Sequence, residues 1–357
     1  MKCPVSACVL LSAVVSCSAV ASSSTSTAPA GGVAAPNTAL VYKGRTELPG
    51  YSGDFDHFAV DLPGNRLFLA AEDHGTLEVF DLKSGQHLKT VTGFETPHSL
   101  FPIPQSHRLL VTDGSDSVKL LDDQTLAPAG SIKLHPGADS IGYDAGNGHL
   151  YIVTGGKDVK MQQSWLEEID PVTAQKIAEV RFDANHVEAL AVQQGGPRLY
   201  INVTDKNDLA VIDKPSHRIV ARWPIKEAEQ NALVQLDEAT HRLFVVTRKP
   251  GKMLVLDADS GATIAHFDAP GRVDQEIFDQ ANHRIYAPGG EGYIGVYAEQ
   301  DANHFIELAH VPSAVGAKTA ILVPELHRLY VAVSPGEGKT GGAILWFDVN
   351  TPPPGAP

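Results

Sequence analysis

The chain predicts an all-β fold, a seven-bladed β-propeller. One short phrase recurs seven times, its copies fall about forty residues apart, and each copy is embedded in four strand-like segments. The phrase runs Asn65-Arg66-Leu67-Phe68-Leu69, His107-Arg108-Leu109-Leu110-Val111, Gly148-His149-Leu150-Tyr151-Ile152 and Pro197-Arg198-Leu199-Tyr200-Ile201. It returns as His241-Arg242-Leu243-Phe244-Val245, His283-Arg284-Ile285-Tyr286-Ala287 and His327-Arg328-Leu329-Tyr330-Val331. Counted from the second residue of each copy, the spacings are 42, 41, 49, 44, 42 and 44.

Each repeat parses in the same order. An apolar strand such as Phe58-Ala59-Val60 precedes a polar turn at residues 61–65, and the phrase itself is the second strand. A third strand ends in Asp, as in Leu77-Glu78-Val79-Phe80-Asp81 or Met253-Leu254-Val255-Leu256-Asp257. A turn such as Ser84-Gly85 or Ser260-Gly261 then leads to a fourth strand at residues 88–91 or 263–267. Alternation is clean where one face meets solvent and blurred in the inner strands, which are packed on both sides.

The last repeat stops after its third strand, Ile344-Leu345-Trp346-Phe347-Asp348, while residues 39–42, or a little beyond, are an orphan strand ahead of the first repeat. Pairing the two closes the ring and removes edges that would otherwise aggregate. An open solenoid would want capping repeats, and the sequence has none. The propeller is thus expected over residues 38–349, with a Pro-rich tail at 350–357.

The repeats resemble the YVTN (YncE-like) propeller family, whose unit runs Arg/Lys-Leu-Tyr-Val, a short loop, Val-x-Val-Ile-Asp and a Gly-ended turn. Ile201-Asn202-Val203-Thr204 with Leu209-Ala210-Val211-Ile212-Asp213 is the nearest local match, and Tyr151-Ile152-Val153-Thr154 is close. The resemblance implies the fold over roughly residues 38–349 and says little of function, since members range from binding proteins to relatives of enzymes. Blade six departs from it, with Tyr297-Ala298-Glu299 where the others have Asp, and blade three carries the longest insertion, residues 155–164.

Residues 1–21 read as an export signal, with Lys2 before an apolar run at residues 5–15. Cleavage fits either after Ala19-Val20-Ala21 or at a lipobox-like Val14-Val15-Ser16-Cys17, which would acylate Cys17. The run is too short to span about 30 Å of hydrocarbon. Residues 22–37, rich in Ser, Thr, Ala, Gly and Pro, read as a disordered linker. The expected location is periplasmic or extracellular, with lipid anchoring through Cys17 as a variant. All three cysteines (Cys3, Cys8, Cys17) fall in the signal. The folded part therefore has no disulfide, thiolate nucleophile or Cys-ligated metal. The net charge of −14, with no Lys/Arg stripe, argues against nucleic acid.

Ligands of propellers gather where inner strands begin, at one mouth of the central channel. Counting back about ten residues from each phrase selects His57, His98, Asp139, Glu188, Asn231, Asp274 or Glu276, and Lys318. Such a ring suits a hard cation or a hydrated substrate, or water alone. His57, His98, Asp139 and Glu188 are the candidate metal ligands, although no close-spaced ligand motif accompanies them. A divalent metal is the one cofactor the pattern admits.

Loops between second and third strands, at residues 72–75, 113–117, 155–163, 204–208, 248–252, 288–292 and 334–342, should form the rim. The last is Gly-rich but lacks phosphate-loop spacing and is expected as a flexible loop. The blade-three loop, with Lys157, Lys160, Met161 and nearby Trp165, is the most distinctive patch, suited to recognising a partner or covering the funnel. His107, His241, His283 and His327 recur at one turn and read as structural. The paired arginines should cover strands with their stems and meet carboxylates. The recurrent third-strand Asp should cap the following turn.

Two function classes follow. The first is a non-catalytic binding or scaffold module of the cell envelope, monomeric, engaging a protein, glycan or small molecule at the mouth. The alternative is a metal-assisted hydrolase or lyase, similar to propeller lactonases. In it, a divalent ion on His57, His98, Asp139 and Glu188 polarises an ester or lactone carbonyl, Glu276 or His186 is the general base, and Lys318 is the oxyanion partner. Haem or quinone electron transfer is disfavoured, because no Cys-x-x-Cys-His occurs.

Overall fold

The computed structural model describes residues 39–115 and 117–351. The expected signal, Cys17, the linker and the tail beyond Thr351 lie outside the described residues. Within them the repeats fold as seven four-stranded antiparallel sheets. Blade one shows the pattern: Phe58–Asp61 lies innermost, followed outward by Arg66–Ala71, Thr76–Asp81 and His87–Thr92. The first three strands are nearly all buried and the fourth largely exposed. No helix among the described residues is long and apolar enough to cross a membrane.

The ring closes as the sequence requires. Leu40–Glu47 pairs antiparallel with Ala343–Val349 from Leu40↔Val349 to Glu47↔Ala343, supplying the outer strand of blade seven. The closing strand is longer than the four apolar residues that announce it, because its second half is held by a ring rather than by its own hydrophobicity. Trp346 covers Gly44: a methyl there would lie 2.2 Å from Trp346 Cζ2, and one on Gly85 of blade one 2.8 Å from Cζ3.

The repeated residues play structural parts. His107, His241, His283 and His327 all adopt positive φ, between 47° and 56°, as does Asn65 at 52°. The third-strand aspartates accept hydrogen bonds from the following turn; Asp81 Oδ1 takes the Ser84 N–H and hydroxyl, each at 2.8 Å. The arginines do more than shield strands. Arg328 Nη1 donates to Lys83 O at 2.7 Å and Arg284 Nη1 to Asn350 O at 2.6 Å. In blade four the phrase tyrosine adds to this, with Tyr200 Oη donating to Ala258 O at 2.9 Å. Each bond leaves the phrase of one blade and ends on the neighbouring blade, so the repeat encodes the joints between sheets as well as the sheets. Between the blades the filling is apolar, as where Leu67, Leu69 and Phe80 of blade one pack with Tyr330, Ala332 and Ile344 of blade seven.

Two features differ from expectation. Gly336–Thr340, expected as a flexible loop, is a strand paired with Ser52–Gly53. Glycines there reach φ of 85° and 69°, which lets the backbone bend into that pairing where side chains would object. The other is Glu276, which precedes Ile277–Asp279 of blade six. It is 1% exposed and neither carboxylate oxygen has a hydrogen-bond partner among the described residues. Burial alone pushes its carboxyl up to about 8, so it is neutral at pH 7.

Two outcomes follow from this packing. Gly44→Ala forces Trp346 off the closing strand and should cost about 1–3 kcal/mol, read by urea unfolding with tryptophan fluorescence; an unchanged midpoint would deny the closure its role. Glu276 has a folded-state pKa above its unfolded value, so the folded chain holds a proton that the unfolded chain has lost. Its contribution is fully present below about pH 4.5 and falls by about 1.4 kcal/mol per pH unit up to about pH 8. Glu276→Gln should flatten that part of the stability–pH curve, and a parallel curve would show that Glu276 is paired or ionised.

Candidate metal centre

Each inner strand begins irregularly, and that irregularity builds the site. In blade one the Asp56 N–H donates to Ala70 O while His57 O accepts from Ala70 N–H, at 2.9 and 3.0 Å. Two consecutive residues thus oppose one, as in a β-bulge, and both side chains reach the channel. Blade three repeats the device, with Asp139 and Ser140 both bonded to Val153. The result is a cavity of ≈ 680 Å³ lined by Asp56, His57, Glu72, His98, Asp139 and Glu188 among others.

The cavity has two electrostatically different walls. On one, Asp56 Oδ2 lies 2.6 Å from His98 Nδ1 and Asp56 Oδ1 lies 3.3 Å from His57 Nε2. His57 Nδ1 meets Gln275 Oε1 at 2.6 Å. Glu72, from the loop after Arg66–Ala71, completes a group with Asp56 and His98 whose ligand atoms lie within 4.8 Å of one another; Asp56, His57 and Asp139 form another. Among the described residues neither Asp56 nor Glu72 has a lysine or arginine salt-bridge partner.

Protonation follows from that crowding. Burial and then the Asp56 charge push the Glu72 carboxyl up to about 8. Burial lifts Asp139 to about 6, the Asp56 and Glu188 charges adding to it against the pull of His98. Burial opposes charge on His98, but Asp139 and the hydrogen bond to Asp56 overcome it and raise the imidazole to about 10. His57 is raised similarly, chiefly by Asp56. Burial likewise works against the Asp56 charge, yet the two imidazoles hold it well below the usual carboxylate range. Protons therefore offset part of the charge crowded on this wall.

The other wall is a belt of satisfied ion pairs. Lys318 Nζ donates to Asp54 at 2.8 Å and to Asp274 at 2.7 Å. Arg248 joins Asp274, at 2.8 Å, to Glu188, at 2.9 Å. His186 Nε2 lies 2.5 Å from Glu188 Oε1, and Lys157 Nζ lies 3.0 Å from His186 Nε2 and 3.3 Å from its Nδ1. Burial would raise Glu188, but His186 and Arg248 bring it down to about 2.

The sequence-selected ring is thus distributed unevenly. His57, His98 and Asp139 come together on the acidic wall. Glu188 and Lys318 belong to the belt, so Glu188 stands apart from the groups that can hold a cation. Asn231 is buried, its amide donating to Asn202 Oδ1 at 2.6 Å and Asp208 O at 2.9 Å. Of the alternatives in blade six, Asp274 lines the mouth, whereas Glu276 borders a second cavity of ≈ 470 Å³ that shares His57 and Ser140 with the first. Asp56, Glu72, Gln275 and Arg248 are the members missed. Glu72 lies in a rim loop, Arg248 is the penultimate residue of the strand Arg242–Lys249, and Asp56 was hidden because one residue per blade is the regular-strand expectation. The blade-three insertion lines the mouth through Lys157, Asp158 and Val159. Trp165 is nearly buried and stacks on His135 at 4.0 Å.

No protein-family model matches the chain, and no curated protein matches it in sequence. Among solved structures it is similar to a chain of Kuenenia stuttgartiensis hydrazine synthase, at 16% identity and a TM-score of 0.67, covering 80% of this chain and 93% of that one. At that identity the likeness shows the propeller fold alone.

Proposed function

We propose that this chain, a YVTN-like propeller of the cell envelope, is a metal-dependent hydrolase or lyase whose divalent cation sits at the acidic wall of the channel mouth. The observation that carries the reading is the Asp56–Glu72–His98 group, whose two carboxylates have no lysine or arginine salt-bridge partner among the described residues and only imidazoles against them, while carboxylates a few residues away are ion-paired to lysine and arginine. Mixed imidazole and carboxylate donors suit zinc, manganese or iron. Such an ion polarises a carbonyl or acidifies a bound water.

The belt supplies the remaining parts. His186 is held by Glu188 through Nε2 in the manner of a general base oriented by a carboxylate, with Lys157 Nζ beside the ring, 3.0 Å from Nε2 and 3.3 Å from Nδ1. Glu276, whose oxygens are sealed from solvent, is no longer a useful base. Lys318 already donates to two aspartates, so its charge is fixed in the wall. Small esters and lactones are the substrate class this arrangement favours. A binding module would use the same mouth without turnover, and the Lys157-bearing insertion on the rim is what favours it.

Elemental analysis of the metal-loaded chain should find bound divalent metal, and Glu72→Gln with His98→Ala should lose it. No metal in either form would return the protein to the binding-module class. Against an ester and lactone panel, His186→Ala should lower kcat by about 10²–10⁴-fold with metal content unchanged. Unchanged kcat would remove His186 from the mechanism. Metal uptake displaces protons from Glu72, Asp139 and the imidazoles, so affinity should rise from pH 6 to pH 9; calorimetry in two buffers of different ionisation enthalpy would show proton release, and a pH-independent affinity would contradict the site.

A further inference from the structure

The two metal-capable groups at the mouth share one residue. Asp56 belongs both with Glu72 and His98 and with His57 and Asp139. We infer that the mouth is a dinuclear centre, with two divalent cations bridged by the Asp56 carboxylate; the inference rests on the metal-dependent reading above and goes beyond it.

Asp56 faces both imidazoles, and Asp139 borders both halves, its Oδ1 lying 3.9 Å from His98 Nδ1. Asp56 Oδ2 faces His98 Nδ1 at 2.6 Å, and Asp56 Oδ1 faces His57 Nε2 at 3.3 Å. One carboxylate thus directs a different oxygen at each of two imidazoles. Each half then has one imidazole, one carboxylate of its own (Glu72 or Asp139) and one oxygen of the bridge. Ligands at right angles around a cation with bonds of about 2.1 Å are about 3.0 Å apart. The 3.3 Å separation already admits an ion. The 2.6 Å one is a hydrogen bond that widens slightly when an ion replaces its proton.

Second contacts and charge agree. Gln275 Oε1 accepts from His57 Nδ1 at 2.6 Å, which leaves Nε2 on the Asp56 side, as an orienting partner does for a metal-bound histidine. Asp56 and His57 share a bulge, while His98 and Asp139 arrive from the next two blades, so three rigid sheets fix the set. Three carboxylates against two divalent ions leave one positive charge. That charge fits one bridging anion, such as hydroxide, between ions about 3.5–4 Å apart, the spacing of two-metal hydrolytic sites. The basic groups Lys318 and Arg248 make their salt bridges to Asp54, Asp274 and Glu188 rather than to these ligands.

The test is manganese titrated into the metal-free full chain, followed by low-temperature electron paramagnetic resonance. About two manganese ions per chain should bind at the mouth, and the second should convert the isolated-ion signal into an exchange-coupled spectrum. Asp139→Asn should remove the coupling and leave one ion; Asp56→Asn should remove the coupling as well. An uncoupled ion that His98→Ala abolishes would overturn the dinuclear inference while leaving the proposed function standing. No manganese at the mouth would overturn both. An ion on either of two groups away from the mouth, Asp237–His283–Glu299 or His135–Glu167–Glu179, would give an uncoupled signal lost in Glu299→Gln or in Glu179→Gln, and alone it would also count against both.

Discussion

Closure of the ring is the constraint from which the rest follows. Seven twisted sheets converge on a common channel only if the last finds the first, and here eight residues, Leu40–Glu47, supply the missing strand of blade seven. The closure is strengthened beyond its ladder. Trp346 lies over Gly44 and Gly85, Arg328 of blade seven donates to Lys83 of blade one, and Ser334 Oγ accepts the Phe55 N–H at 2.9 Å. That last bond places the segment from Asp54 to His57. Through it, the joint between chain ends positions one wall of the mouth.

The mouth shows how a near-symmetric repeat becomes an asymmetric site. Each blade presents comparable backbone at the start of its inner strand, but the side chains sort into two walls. Blades four to seven carry the cations Arg248 and Lys318, which bind up Glu188 and Asp274 of these blades and Asp54 ahead of blade one. Blades one to three carry Asp56, Glu72 and Asp139 with only imidazoles between them. Such crowding in a partly dry cavity is costly unless protons or a cation intervene. The pushed-up Glu72 and Asp139 carboxyls are the form that cost takes without an ion.

Much of the architecture was legible because it depends on periodicity and on turn chemistry. The phrase marked every second strand, the third-strand aspartates marked the turns, and the interrupted last repeat foretold the closing strand. The site was legible only in outline. His57, His98 and Asp139 follow from counting along regular strands. Asp56 does not, since a bulge shifts the count by one, and Glu72 enters from a loop whose path depends on packing. Asn231 and Glu276 fit the count, yet one turns into a buried amide pair and the other into a sealed position, because alternation says which side of a strand a residue takes and not what lies beside it. Gly336–Thr340 was misjudged for a related reason: its glycines permit a loop, but only the neighbouring Ser52–Gly53 makes a strand of it.

The most direct test of the metal-centred account is anomalous diffraction at the manganese edge from crystals of the chain grown with manganese. The account predicts anomalous density between Asp56, Glu72 and His98, with His57 and Asp139 bordering it. Density confined to other carboxylates, or none at the mouth, would contradict it and leave a propeller whose acidic wall is held together by protons alone.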